Sequence, residues 1–217
     1  MKLTWFGHSC VLLEGSRKVL IDPFIPEGSI DVEPDVVAVT HGHADHMGDA
    51  ASYGVPVVAI NEVAKYLRTK GVEAEAMNIG GTIEVKGVRF TMTPALHSAW
   101  IEEAGIGCNG GCAAGFVIRM DGKAIYHAGD TGLFSDMSLI GELYHPDVAL
   151  LPIGGRFTMG PEEAMVAARM IGSPLVIPIH YNTWPAISQD AEGFKRTLER
   201  TTDCRVRVLA PGGSITL

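Results

Sequence analysis

The chain has 217 residues, 47% of them apolar, enough to bury a sizeable core in one domain or two small ones. Its formal net charge is −8 with no cluster of lysine and arginine, which argues against a nucleic-acid partner gripped through its phosphates. The opening MKLTWFGHSC lacks the apolar stretch of a secretion signal, and no run approaches the roughly 18 apolar residues of a membrane helix, so a soluble, cytoplasmic protein with no membrane partner is expected.

In chain order, Leu3–Phe6, Val11–Glu14 and Lys18–Asp22 read as short strands. Val36–Thr40 and Val55–Ile60 are apolar throughout, as strands buried on both faces are. Asn61 is expected to cap a helix running to about Lys70 and stopped by Gly71. Thr82–Lys86 and Val88–Thr93 predict a hairpin across Gly87, and Ala113–Met120 and Lys123–His127 a second across Asp121-Gly122. Between them, His97 to Cys112 (HSAWIEEAGIGCNGGC) reads as one long loop without an element. Asp136–Tyr144 reads as a helix, Val148–Leu151 as a strand, and Pro161–Ile171 as a helix with proline in its first turn. Leu175–Ile179 reads as a strand and Gln189–Thr201 as a helix, with Arg205–Leu209 and Ser214–Leu217 closing the chain. Strands and helices mixed in this way imply sheets covered by helices.

There is a faint internal repeat. PDVVAVTHGHADHMG (34–48) and PDVALLPIGGRFTMG (146–160) match at six of fifteen positions. Either the two are generic strand–loop–helix units, or the chain consists of two related halves packed face to face with a site between them.

The densest chemistry lies in THGHADHMGD (40–49), just past an apolar strand. His41, His43, Asp45 and His46 could converge there on one point. Imidazole nitrogens suit zinc and other transition metals, and a carboxylate adds charge. Three more candidates follow apolar strands: His97 after TMTPAL, Asp130 after AIYHAG and His180 after LVIPI. Seven ligands are too many for one tetrahedral ion but suit two ions sharing a carboxylate.

THGHADH, the lone His97, AGDT at 128–131 and PIHY at 178–181, in that order, resemble the metallo-β-lactamase superfamily over essentially the whole chain. WFGHS, IDPF, YHAGDT and PIGGRFTMGPEEA are similar to an uncharacterised group of metal-dependent hydrolases, itself similar to L-ascorbate-6-phosphate lactonases and, more distantly, to N-acyl phosphatidylethanolamine phospholipases. The resemblance implies an α/β (α+β) fold: a single domain, 1–217, forming a four-layer αββα sandwich with pseudo-symmetric halves. It implies two divalent metal ions, zinc first, with manganese, iron, nickel or cobalt as alternatives. His41, His43 and His97 match one metal site, Asp45, His46 and His180 the other, and Asp130 the bridging carboxylate. True β-lactamases of the best-known type carry cysteine at the position of Asp130. Flavodiiron oxidoreductases carry glutamate at that of His43, and nuclease branches add an insert or a basic arm. These departures point to a broader hydrolase.

The mechanism expected is attack by a bridging hydroxide whose pKa falls from ~15.7 towards ~7, with Asp45 as the acid/base residue. The substrate would be a small ester, lactone or phosphodiester. His8 in WFGHS is either a substrate contact or a packed turn histidine. Asp22 either orients an imidazole or is a turn aspartate before proline. Arg156 could hold an anionic group of the substrate, or be a solvated arginine. Tyr181 could donate to an oxyanion, or pack in the core. His127 reads as structural and His145 as exposed. Trp100, Ile101, Glu102 and Glu103 could shape an entrance. Cys10, Cys108, Cys112 and Cys204 form no CxxC pair and read as free thiols, with a third metal site or redox switch at Cys108 and Cys112 as the alternative. A homo-oligomer is left open. The competing classes are a metal-dependent oxidoreductase, di-iron or persulfide-oxidising, and a non-catalytic metal-binding protein.

Overall fold

Short apolar runs, broken by glycine and aspartate turns, set the strands of this protein in a computed structural model that describes residues 1–26, 29–103 and 106–217. The first sheet holds β1 (Lys2–Gly7), β2 (Cys10–Glu14), β3 (Lys18–Ile21), β4 (Val36–Val39), β5 (Val57–Ile60) and β6 (Ala74–Met77). The second holds β7 (Thr82–Val85), β8 (Val88–Pro94), β11 (Ala114–Met120), β12 (Lys123–His127), β13 (Val148–Pro152), β14 (Leu175–Ile179) and β15 (Arg205–Val206). A separate hairpin joins β9 (Trp100–Glu103) to β10 (Ile106–Asn109), and β16 (Gly213–Thr216) returns to β1.

The sheet orders are β16-β1-β2-β3-β4-β5-β6 and β7-β8-β11-β12-β13-β14-β15. Read in those directions, each sheet has three antiparallel pairings followed by three parallel ones. β4 and β13, the strands of the two repeat segments, occupy the same place in their sheets. The faint repeat is therefore the trace of a pseudo-symmetric architecture.

Helices cover the outer faces. α2 (Asn61–Thr69) packs on β5 and β6. α4 (Pro161–Ile171) packs on β13, α5 (Ala191–Thr201) on β15, and α3 (Met137–Tyr144) against α4. Between them, residues of both sheets share one apolar core, and β4, β5 and β13 are buried throughout. This is the αββα sandwich. No helix among the described residues is long and apolar enough to cross a membrane.

Both predicted hairpin turns form. Lys86-Gly87 and Asp121-Gly122 place two successive residues at positive φ, from 52° to 81°, which matches the strand twist. Other expectations need correction. His97–Cys112 is not an elementless loop, because it contains β9 and β10. Ile101 is buried over Gly42, while Trp100, half exposed, lies across Gly107, so side-chain alternation and a missing Cβ allow the two strands to pair. Ala104, Gly105 and the Glu103 side chain lie outside the described residues. Asn61 does not cap α2; it is the first helical residue, its amide on Glu62 at 3.1 Å. α5 starts at Ala191, not Gln189, because the Asp190 carboxylate accepts from the Gly193 amide at 2.8 Å. β5 starts after Pro56, which has no N–H for the ladder. Of Arg205–Leu209, only Arg205 and Val206 pair. β6 is absent from the sequence reading.

Candidate metal centre

The candidate ligands stand where strands end. β4 delivers His41 and His43, and the single turn α1 (Ala44–Met47) that follows carries Asp45 and His46. His97 follows β8, Asp130 follows β12 and His180 follows β14. The pseudo-symmetry adds two positions: His8 stands after β1 as His97 does after β8, and Asp22 after β3 as Asp130 does after β12. Main-chain bonds join the sheets here, from His180 N–H to the His8 carbonyl at 2.8 Å and from Ala114 N–H to the Thr40 carbonyl at 3.2 Å.

Potential ligand atoms fall into groups spanning at most 4.8 Å: His41, His43 and His97; His41, His46 and Asp130; and His8, Asp45, His46 and His180. All seven predicted ligands are thus brought together, and His8 joins them. Asp130 lies at the centre. Its Oδ1 is 3.2 Å from His46 Nε2, and its Oδ2 is 3.0 Å from His180 Nε2 and 3.6 Å from His97 Nε2. Despite this crowding, His46 Nε2, Asp130 Oδ1 and both His180 ring nitrogens are buried and make no hydrogen bond to the described residues. Lone pairs so converged and unpartnered are costly. A cation among them removes that cost, so the donor set fits a metal.

Asp22 sets two of the imidazoles. It is fully buried, its Oδ1 accepts from Thr40 N–H at 2.8 Å, and its Oδ2 accepts from the Thr40 hydroxyl at 2.8 Å and from His46 Nδ1 at 2.7 Å. His46 Nδ1 therefore carries a proton, and Nε2 is the nitrogen turned to Asp130. Because the Thr40 hydroxyl is spent on Asp22, it accepts from His41 Nδ1 at 3.1 Å. That leaves His41 Nε2 bare, 2.9 Å from His43 Nδ1. One carboxylate fixes the Nδ1 protons of two candidate ligands.

At His41, His43, His97 and Asp130, electrostatics favour the ligand form. Burial first, then neighbouring imidazoles, holds His41 well below its ordinary pKa, and burial also lowers His43 and His97. Burial opposes ionisation of Asp130, but His46 and His180 outweigh it and keep the carboxyl well below the usual carboxylate range. His46 is the exception: Asp130 and Asp22 outweigh burial and raise its pKa, which favours the imidazolium, and a cation would have to displace the proton on Nε2.

His8 is 1% exposed, with Nδ1 2.8 Å from the Thr183 hydroxyl and Nε2 3.2 Å from Asp45 Oδ2. Its ring stacks on Trp184 at 4.9 Å. Burial lowers its pKa to about 4, against a smaller upward pull from Asp45. Asp45 is held below its ordinary value because the His8 hydrogen bond and His46 overcome burial. Neutral His8 thus donates from Nε2 to an ionised Asp45, and Thr183 donates to Nδ1. The unfolded chain protonates this histidine at about 6.5, the folded one only near 4, so its contribution is complete above pH 6.5 and lost as pH falls towards 4. Chemical denaturation of the metal-free protein should lose up to about 3 kcal/mol over that window through this group. His8→Gln should flatten the loss. An unchanged slope would contradict this placement of the proton.

Other predicted residues lie further out. Tyr181 stacks on Trp5 with centroids 5.4 Å apart, and burial, then Glu192, pushes its phenol up to about 12. No described contact joins it to the seven. Arg156 is exposed, its guanidinium over the Phe157 ring at 5.5 Å. Its loop reaches the site at Met159, whose N–H donates to the Thr131 carbonyl at 2.9 Å. His127 is structural, Nε2 donating to the Ser9 carbonyl at 3.0 Å and Nδ1 accepting from Gly129 N–H at 3.1 Å. His145 is exposed, and the four cysteines are free. The sequence reading missed Thr40, Thr183 and Trp184. Thr40, between an apolar strand and His41, was the one with a visible signal.

Residues 17–181 match the family model described as the beta-lactamase superfamily domain. The chain is 69% identical over 215 residues to a "UPF0173 metal-dependent hydrolase" of Methanoculleus marisnigri, covering 99% of this chain and 96% of that protein. It is 67% identical over 212 residues to one of Methanospirillum hungatei, covering 98% and 97%. The structure of Igni18, "a novel metallo hydrolase" from Ignicoccus hospitalis, is similar with a TM-score of 0.91 at 39% identity, over 100% of this chain and 97% of that one. On its strand-end histidines, its paired sheets and these relatives, the chain belongs to the metallo-β-lactamase superfamily and is a metal-dependent hydrolase.

Proposed function

We propose that the protein hydrolyses a small ester, lactone or phosphodiester at a centre of two divalent metal ions. His41, His43 and His97 hold one ion, Asp45, His46 and His180 hold the other, and Asp130 is shared. The observation that carries this reading is the convergence of buried, unpartnered His46 Nε2, His180 Nε2 and Asp130 Oδ1 on one point. An imidazole-rich set with carboxylates suits zinc first, and manganese, iron, nickel or cobalt as well. When bound, two such ions supply Lewis acidity and a water acidified towards neutral pH.

The chain's own groups do the rest. Asp45 Oδ2 is fixed by His8, which leaves Oδ1 for a cation or for the proton of an attacking water. Asp45 is the acid/base residue in this reading, receiving that proton and passing it to the leaving group. Arg156, on a loop tied to Thr131, can meet an anionic group of the substrate. His8 and Tyr181 contact substrate from the side of α5. Four free cysteines suit the reducing cytoplasm.

The test is turnover of lactones and phosphodiesters by metal-loaded protein, wild type against Asp45→Asn. Wild-type activity should vanish with chelator, and the variant, which loses one ligand carboxylate and is assayed at saturating metal, should show a kcat lower by about 10²–10⁴-fold. Near wild-type kcat in Asp45→Asn would remove this residue from the chemistry.

A further inference from the structure

A cavity of about 540 Å³ lies on the far side of His8 from Asp45, within the size range of small-molecule sites. Its walls come from WFGH at the end of β1, from Tyr181 to Thr183 beyond His180, from the start of α5, and from Val208 to Pro211. This gives the WFGHS segment a place that metal ligation does not explain. The His8 ring is the partition. Its Nδ1 edge meets Thr183 in the cavity wall, and its Nε2 edge meets Asp45 in the metal-binding cluster. A group lodged in the cavity therefore sits one imidazole away from the candidate metals.

The polar groups of the walls are mostly spent. Gln189 gives its side-chain amide to the Gly154 carbonyl and its N–H to Asn182 Oδ1, and Asp190 caps α5. Two are left. Tyr181 is 6% exposed, and its hydroxyl makes no hydrogen bond among the described residues. Glu192 is exposed at the cavity's edge and likewise has no described partner. No lysine or arginine lines the cavity, and Arg156 is not in its walls. Trp5, Phe6, Pro26 and Leu209 make the remainder apolar.

We propose that this cavity is a subsite for the non-reacting part of the substrate, and that it takes a flat apolar group bearing an amine while rejecting a carboxylate. The ring lies against the Trp5–Tyr181 side, and the ammonium donates to the Tyr181 oxygen and to Glu192. A carboxylate there would face Glu192 with no cation to offset it. Binding energy gathered in the cavity then orients the reacting bond at the metals. The proposal rests on the hydrolase reading, and its test separates the two.

The probes are tryptamine and indole-3-acetate, which offer the same ring with opposite charge. Calorimetric titration of the metal-loaded protein should show tryptamine binding about tenfold or more tighter than indole-3-acetate. Val208→Trp should fill the cavity and abolish tryptamine binding with metal content unchanged. Glu192→Arg, an exposed change that leaves the core untouched, should reverse the preference. Tryptamine should raise the KM for a neutral phenyl ester without lowering kcat. Equal binding of both probes, no binding of either, binding indifferent to both substitutions, or binding without effect on KM would each overturn the subsite. A wild-type protein that binds tryptamine as described but shows no metal-dependent turnover would overturn the hydrolase reading instead.

Discussion

Asp130→Ala should lower bound metal from about two equivalents to below one and reduce kcat/KM by about a thousandfold or more. Among the described residues, Asp130 is the one carboxylate in reach of His46, His97 and His180 together, at 3.0 to 3.6 Å. Without it, the two clusters lose the anion they share, and neutral imidazoles would be left to hold cations with less charge to offset theirs. The loss should therefore appear at both positions, with no preference for one. Elemental analysis of the variant, beside circular dichroism to establish folding, checks this. A folded variant that kept two equivalents would contradict the shared role.

The second large effect lies at a residue that touches no metal in this account. Asp22→Ala deprives three donors of their acceptor: Thr40 N–H, the Thr40 hydroxyl and His46 Nδ1. Each buried donor left unsatisfied costs about 1–3 kcal/mol, so a loss of roughly 3–5 kcal/mol is expected. Metal affinity should also fall by about 10–100-fold. The fall should reach both positions, since Asp22 fixes the proton of His46 directly and that of His41 through the Thr40 hydroxyl. Asp22 has a φ of 46°, which asparagine tolerates better than alanine. Asp22→Asn therefore separates backbone strain from hydrogen bonding. It should recover part of the stability, but its amide N–H₂ cannot accept, so metal affinity should stay low. Denaturation curves and competitive metal titrations read the two effects. Weakened folding with unaltered affinity in both variants would confine Asp22 to a structural role.

The legible parts of this molecule were those with local causes. THGHADH announces a cluster of candidate ligands because residue type and spacing suffice. His97, Asp130 and His180 were legible because each follows an apolar strand, and strand ends gather at one side of the sandwich. The pseudo-symmetry showed only as six matches in fifteen, since after divergence topology outlasts identity. What stayed hidden depends on distant partners. β6, AEAM, has no β-branched residue and exists because β5 offers a parallel edge. β9 and β10 pair because Gly42 and Gly107 leave room for Ile101 and Trp100. Asp22 reads equally as a turn aspartate before proline or as the partner of an imidazole, and its bond to His46, 24 residues away, decides for the second. The partners of His8, Thr183 and Trp184, lie some 175 residues away and carry no motif of their own.

The central claim is that two metal ions share Asp130. Metal content decides it most directly, by elemental analysis of protein purified without chelator or histidine tag. The account predicts about two equivalents per chain, with zinc first among them. Less than one equivalent, not raised by soaking the protein in zinc or manganese, would contradict it.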